Sequence, residues 1–219
     1  MPEEAPKKPR VKGSWREKKW YEIIAPSMFG NAKVGESPSN DEKDVIGRVF
    51  ETTLGDIIDD FSKSHIKLYF QVERVEENRA LTKFIGHDMA RDYVRSQVRR
   101  RATKIGDIST VTTQDGYKLR VTSMVISLRR LKSSQIREIR SGMREIVAQR
   151  SSERTFDQFI QEVVLGKLAA DIYKVAKKIC PVRRVEVVKT KVLASPSTPP
   201  SIQPAATPPL LQGDLNSQI

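Results

Sequence analysis

Cysteine, histidine and aromatic residues are all scarce in this chain, and each scarcity removes a class of chemistry. Cys180 is the only cysteine, so no internal disulfide can form, and a lone thiol without a second soft ligand cannot build a structural zinc site. Its expected role is that of a small buried hydrophobe at a helix end. The two histidines, His65 and His87, lie in no metal-ligand spacing and beside no Ser or Cys motif. His65 reads as opening a strand, and His87 with Asp88 as a capped helix start rather than an acid–base pair. Glycines occur singly, without the patterns that cradle phosphates, so nothing supports nucleotide use, a cofactor or a metal. No apolar run approaches a bilayer span, the amino terminus lacks the apolar core of a signal peptide, and Met1-Pro2-Glu3-Glu4 offers no myristoylation glycine. A cytosolic chain without a membrane partner is expected.

Positive charge is abundant. The 219 residues carry 39 Lys plus Arg against 27 Asp plus Glu, a formal charge of +12, which draws a chain to a polyanion. Residues 1–17 place Lys7, Lys8, Arg10, Lys12 and Arg16 among Pro and Gly, a composition that predicts a basic arm disordered when free. Lys18-Lys19-Trp20-Tyr21 follows, with ammonium groups suited to phosphates beside rings able to stack on bases. The competing reading has Trp20, Ile23 and Phe29 pin the arm onto the domain.

Hydrophobic period divides the remainder. A loop is expected between Asn31 and Lys43, and a strand over Val45–Thr52. Ile66, Leu68, Phe70 and Val72 alternate, predicting a strand with one buried face. Glu77-Asn78 turns the chain into a return strand over 79–86, after which Asp88 reads as the N-cap of a helix running to Arg101. Ile105–Thr113 and Tyr117–Leu128 form a hairpin about Asp115-Gly116. The period then becomes helical. Ile136, Ile139, Met143, Ile146 and Val147 share one stripe; Phe156, Phe159, Ile160 and Val163 share a second behind a Thr155/Gln158 capping box; Leu168, Ile172, Val175, Ala176 and Ile179 form a third, broken near Gly166 and ended by Pro181. Val182–Val192 alternates again as a closing strand. Six of the twelve prolines fall in residues 195–219, predicting a disordered tail. One α+β core over 18–194 is expected, without self-association.

Arginines mark the candidate surface. Arg91, Arg95 and Arg99 recur at four-residue steps, and Arg100 and Arg101 extend that ridge. Guanidinium forks match phosphate oxygens better than ammonium groups do. Arg137, Arg140 and Arg144 form a second ridge, partly neutralised by Glu138 and Glu145. Arg48, Lys118, Arg120, Arg129 and Arg130 add basic groups, spread as in a protein that wraps a large folded RNA. Asp56, Asp59 and Asp60 form the one candidate catalytic cluster and read as helix caps instead.

Several ordered segments resemble the archaeal and eukaryotic small-ribosomal-subunit protein one family, also called ribosomal protein S-three-a. They are Lys18-Lys19-Trp20-Tyr21 with Ala25-Pro26-Ser27-Met28-Phe29, Gly47-Arg48-Val49-Phe50-Glu51 with Leu54 and Asp56, Thr112-Thr113-Gln114-Asp115-Gly116-Tyr117-Lys118-Leu119-Arg120, and Gln135-Ile136-Arg137-Glu138-Ile139-Arg140 with Met143, Glu145 and Ile146. The short arm is more similar to archaeal members. The resemblance implies an antiparallel β-barrel-like core flanked by helices. It also implies a structural role on the small subunit's platform near the mRNA exit, with rRNA, neighbouring proteins such as protein eleven, and mRNA as partners. The Pro- and Ser-rich tail matches nothing in the family. A ribosome-assembly or other RNA-binding factor is the alternative that shares the same charge pattern.

Overall fold

The computed structural model describes residues 18–196. Eight strands form one sheet: β1 (Lys19–Ile24), β2 (Lys33–Ser39), β3 (Val49–Thr53), β4 (Ile66–Glu76), β5 (Arg79–Met89), β6 (Lys104–Thr112), β7 (Lys118–Ser127) and β8 (Val182–Ala194). Their order is β2-β1-β5-β8-β7-β6, with β4 pairing both β5 and β3 off that path. The helices are α1 (Leu54–Ile58), α2 (Arg91–Gln97), α3 (Ser133–Glu153), α4 (Phe156–Val164) and α5 (Lys167–Ile179).

The expected mixed α+β class holds, but the sheet is not a barrel. β2, β3 and β6 each pair on one side only, and β1 runs parallel to β5. The cause lies in β5. One of its edges is taken along its length by β4, while the other is divided between β1, at Arg79–Leu81, and β8, at Gly86–Asp88. Strands that share an edge at its two ends must diverge, so the sheet forks instead of curling closed.

Alternation in β4 places Ile66, Leu68, Phe70 and Val72 inside, as expected. At the second hairpin Gly116 takes φ +81° and donates its N–H to Thr113 O, a conformation that glycine adopts at little steric cost. Four local expectations fail. Lys19–Ile24 and Lys33–Ser39 are paired strands, the latter where a loop was expected. Its low β-propensity is offset by tertiary contacts, and Pro38 is tolerated because β2 is an edge. The stretch Val45–Arg48 turns before β3 begins. β5 continues through His87 and Asp88, so α2 starts after Ala90, and Asp88 instead accepts a bond from Lys189 Nζ at 2.8 Å. Thr155 makes no side-chain cap; Phe156 N donates to Asp115 Oδ2 at 2.7 Å, so the hairpin turn caps α4.

The helical stripes meet the β6–β7–β8 arm. Ile139, Met143 and Val147 of α3, Phe159 and Ile160 of α4, and Leu168 and Ile172 of α5 share one core with Leu119, Val121, Val125, Val185 and Val187. Each such side chain contributes roughly 1.5–3 kcal/mol on burial. Cys180 is buried in the same cluster, and burial pushes its thiol pKa up. A smaller cluster of Tyr21, Ile23, Val45, Val72 and Ala80 lies in the β1–β2 region. Thus Tyr21 and Ile23, not Trp20, anchor β1, and Trp20 is 54% exposed.

Candidate nucleic-acid interface

Two arginine runs far apart in sequence meet at one end of the β6–β7 hairpin. Thr103 N–H donates to Ser127 Oγ at 3.0 Å, Ser127 N–H to Thr103 O at 3.0 Å, and Leu131 N–H to Thr103 Oγ1 at 3.1 Å. Ser127 Oγ also donates to Arg129 O at 2.5 Å. These bonds join the segment that carries Arg99-Arg100-Arg101 and Lys104 to the one that carries Arg129, Arg130 and Lys132. All seven residues are exposed, and none of the arginines makes a side-chain ion pair among the described residues. Arg101 adopts φ +64°, a left-handed conformation costing an arginine roughly 1–2 kcal/mol.

α2 supports this end from one side. Tyr93 and Val94 pack on the core. The Tyr93 ring stacks on His65 at 3.9 Å, its hydroxyl donates to Glu186 at 3.3 Å and accepts from Arg184 at 2.9 Å. Burial, then Glu186, raise the Tyr93 pKa above the usual phenol value. Arg91 and Arg95 lie exposed on the other side of the helix. The helix ends at Gln97, so Arg99, Arg100 and Arg101 follow it as a loop rather than continue a ridge.

A second basic site lies on the sheet. Arg120 of β7 stands directly opposite Lys191 of β8, with Lys118 two residues along, and all are exposed. Like charges facing each other across strands are destabilising, by about 0.2–1 kcal/mol. Two neighbouring lysines are already paired, Lys189 with Asp88 and Lys67 with Glu51. Arg120 is seven residues from Ser127, about 23 Å along the strand. Lys104, Lys132 and Lys191 escaped the sequence reading; the outward positions of the β8 alternation carried the signal for Lys191.

Other basic candidates serve the fold. Arg48 Nε donates to Asp44 O at 2.7 Å and Nη1 to Ser37 Oγ at 2.7 Å, so its guanidinium ties the 44–48 turn to β2. Arg144 grips the buried Asp107 carboxylate through Nε and Nη2, joining α3 to β6, and Arg140 Nε reaches Gly106 O at 3.2 Å. Arg137 remains exposed on α3. Lys18, Lys19 and Trp20 stand at the start of β1, and Lys7, Lys8, Arg10, Lys12 and Arg16 lie outside the described residues. The acidic trio is structural where it is bonded: Asp56 completes a capping box with Thr53, and Asp60 accepts from Ser62 N. Among the described residues no group of three or more His, Cys, Asp or Glu could hold a metal ion. His87 is buried in mid-strand, not at a helix start: Nε2 faces Val187 O at 3.0 Å and Nδ1 faces Thr190 Oγ1 at 2.7 Å.

Residues 6–196 match the model of the ribosomal S3Ae family. The chain is 51% identical over 190 residues to a protein of Archaeoglobus fulgidus named small ribosomal subunit protein eS1, covering 86% of this chain and 90% of the relative. Proteins of the same name from Desulfurococcus amylolyticus and Staphylothermus marinus are 48% and 47% identical over 187 and 201 residues. They cover 85% and 92% of this chain and 88% and 94% of the relatives.

Proposed function

The chain belongs to the ribosomal S3Ae family, and from that premise we propose which of its surfaces hold the ribosome together. It is a structural constituent of the small ribosomal subunit in the cytoplasm, serving translation and not acting as an enzyme. Its contact with small-subunit rRNA runs through two phosphate-binding sites, Arg91, Arg95, Arg99, Arg100, Arg101, Arg129 and Arg130 at the hairpin end, and Lys118, Arg120 and Lys191 on the sheet. Arg137, Lys18, Lys19 and Trp20 extend the contact. Residues 18–194 fold as one unit. The platform near the mRNA exit is the location we assign, with protein eleven as a neighbour and mRNA near the exit as a further partner.

The observation that carries this reading is the joining of two unneutralised arginine runs by Thr103 and Ser127. Repulsion within such a cluster favours an anion arriving from outside, and phosphate supplies one per nucleotide. Charge reversal at Arg99, Arg101 and Arg130 tests it. The triple variant should enter salt-washed small subunits poorly. Its log-affinity for rRNA against log salt should flatten by about 2, because each lost phosphate contact removes about 0.7–0.9. Unchanged incorporation with an unchanged slope would refute the assignment.

A further inference from the structure

The fork in the sheet leaves a cleft. From Thr82 to Ile85, β5 has β4 on one side and no strand on the other, because β1 stops at Leu81 and β8 begins pairing at Gly86. That gap is about 13 Å long. A cavity of about 600 Å³ opens there, between Pro26 and Met28 after β1 and Val192 to Pro196 at the end of β8. Its walls include Phe84, Tyr117 and Phe156, with Tyr117 stacked on Phe156 at a centroid distance of 4.3 Å. The apolar walls and strand-length gap suit an extended peptide, which can add main-chain bonds to an open sheet edge while its side chains fill pockets.

Charge selects the peptide. In a chain of net charge +12, this cleft carries Glu73 and Asp157 with Lys83 as the only cation among its described lining residues, and Asp115 stands beside them at the α4 cap. The Asp157 carboxylate makes no hydrogen bond or ion pair with another described residue; partial loss of water around it, then Asp115, push its pKa up. The Tyr117 hydroxyl is likewise held above the usual phenol value by burial, then by Asp157, Glu73 and Asp115. Those carboxylates repel phosphate, which makes RNA a poor occupant. The chain's own tail fits poorly too, since residues 197–219 contain no Lys or Arg.

We propose that this fork is a docking cleft for an extended, Lys- or Arg-bearing segment of a neighbouring small-subunit protein whose apolar side chains pack on the half-buried Tyr117, with the buried Phe84 and Phe156 as the floor beneath. The inference rests on the reading above, in which the arginine end holds rRNA and leaves this face to protein. The gap in β5 receives the segment's backbone, and Asp157 and Glu73 receive its cation.

Photo-crosslinking tests it on the full chain. A benzoylphenylalanine placed at Leu193, which is 41% exposed at the cleft lip, is carried into small subunits reconstituted from rRNA and subunit proteins. Ultraviolet light should join it to one ribosomal protein, at a peptide containing Lys or Arg, and adding Asp157→Arg should lower that yield at least 5-fold while incorporation stays unchanged. A crosslink to rRNA, to this chain's own arm or tail, or to no protein in subunits that contain the chain, would overturn the proposal. So would a yield that Asp157→Arg leaves unaltered. Failure of the rRNA reading is distinguishable, because it shows as normal incorporation of the arginine-reversal variant, whatever Leu193 captures.

Discussion

Lowering the pH from 7.5 to 5.5 should destabilise the folded chain through His87, by an amount on the order of 1 kcal/mol. The ring is buried where β5 meets β8, a junction of three residue pairs. Because Val187 O can only accept, Nε2 must carry the proton, and Nδ1 then accepts from the Thr190 hydroxyl. Thr190 Oγ1 in turn accepts the His87 backbone N–H at 3.3 Å. The neutral ring is thus satisfied on both nitrogens, and a second proton would meet a hydroxyl already oriented toward it. Burial lowers the pKa from 6.5, outweighing the opposing bond to Val187 and the charge of Asp88. The sign follows. Below pH 6.5 the unfolded chain binds a proton that the folded chain refuses, so this contribution is fully present above 6.5 and lost as pH falls beneath it. Each pH unit over which the unfolded ring is protonated and the folded ring is not costs about 2.303RT, so the loss by pH 5.5 is on the order of 1 kcal/mol. Urea unfolding at pH 7.5, 6.5 and 5.5 for the wild type and His87→Gln measures it, and His65, common to both chains, cancels in the difference. The variant should be less stable at pH 7.5, because a buried partner is lost, but flatter with pH. Parallel pH profiles for the two chains would refute the reasoning.

Three further perturbations address the fold that presents these surfaces. Asp115→Ala removes the cap on α4 and should cost about 1 kcal/mol in chemical unfolding, with Asp115→Asn retaining part of it; equal stability of wild type and Asp115→Ala would show that Phe156 N finds another acceptor. Gly86→Ala places a Cβ 2.4 Å from Thr190 O, so it should destabilise by about 1–3 kcal/mol and speed amide exchange at the β5–β8 junction; a neutral effect would mean the strands separate freely there. Cys180, buried with a raised thiol pKa, should resist alkylation in the native chain and react at once in urea, whereas rapid native labelling would contradict its place in the core.

Sequence alone determined the elements whose signal is local. Strict alternation specified β4, a positive-φ glycine specified the β6–β7 turn, and the 3.6-residue stripes specified α3, α4 and α5, because period and turn chemistry are properties of neighbouring residues. The charge excess and the ordered motifs likewise pointed to a ribosomal RNA partner without any coordinates. What only the tertiary structure decided depends on residues that meet across the chain. β2 forms from Gly, Pro and Ser because β1 and Arg48 hold it. Asp88 leaves its expected cap because β8 supplies Lys189, and α4 takes its cap from Asp115, 41 residues away. The division of one β5 edge between two strands opens the barrel into a fork, and no local pattern encodes that division. The same reason applies to the basic surface: composition announced its existence, but Thr103 and Ser127 decided which arginines stand together, and Asp44, Ser37 and Asp107 decided which are engaged by the protein's own groups.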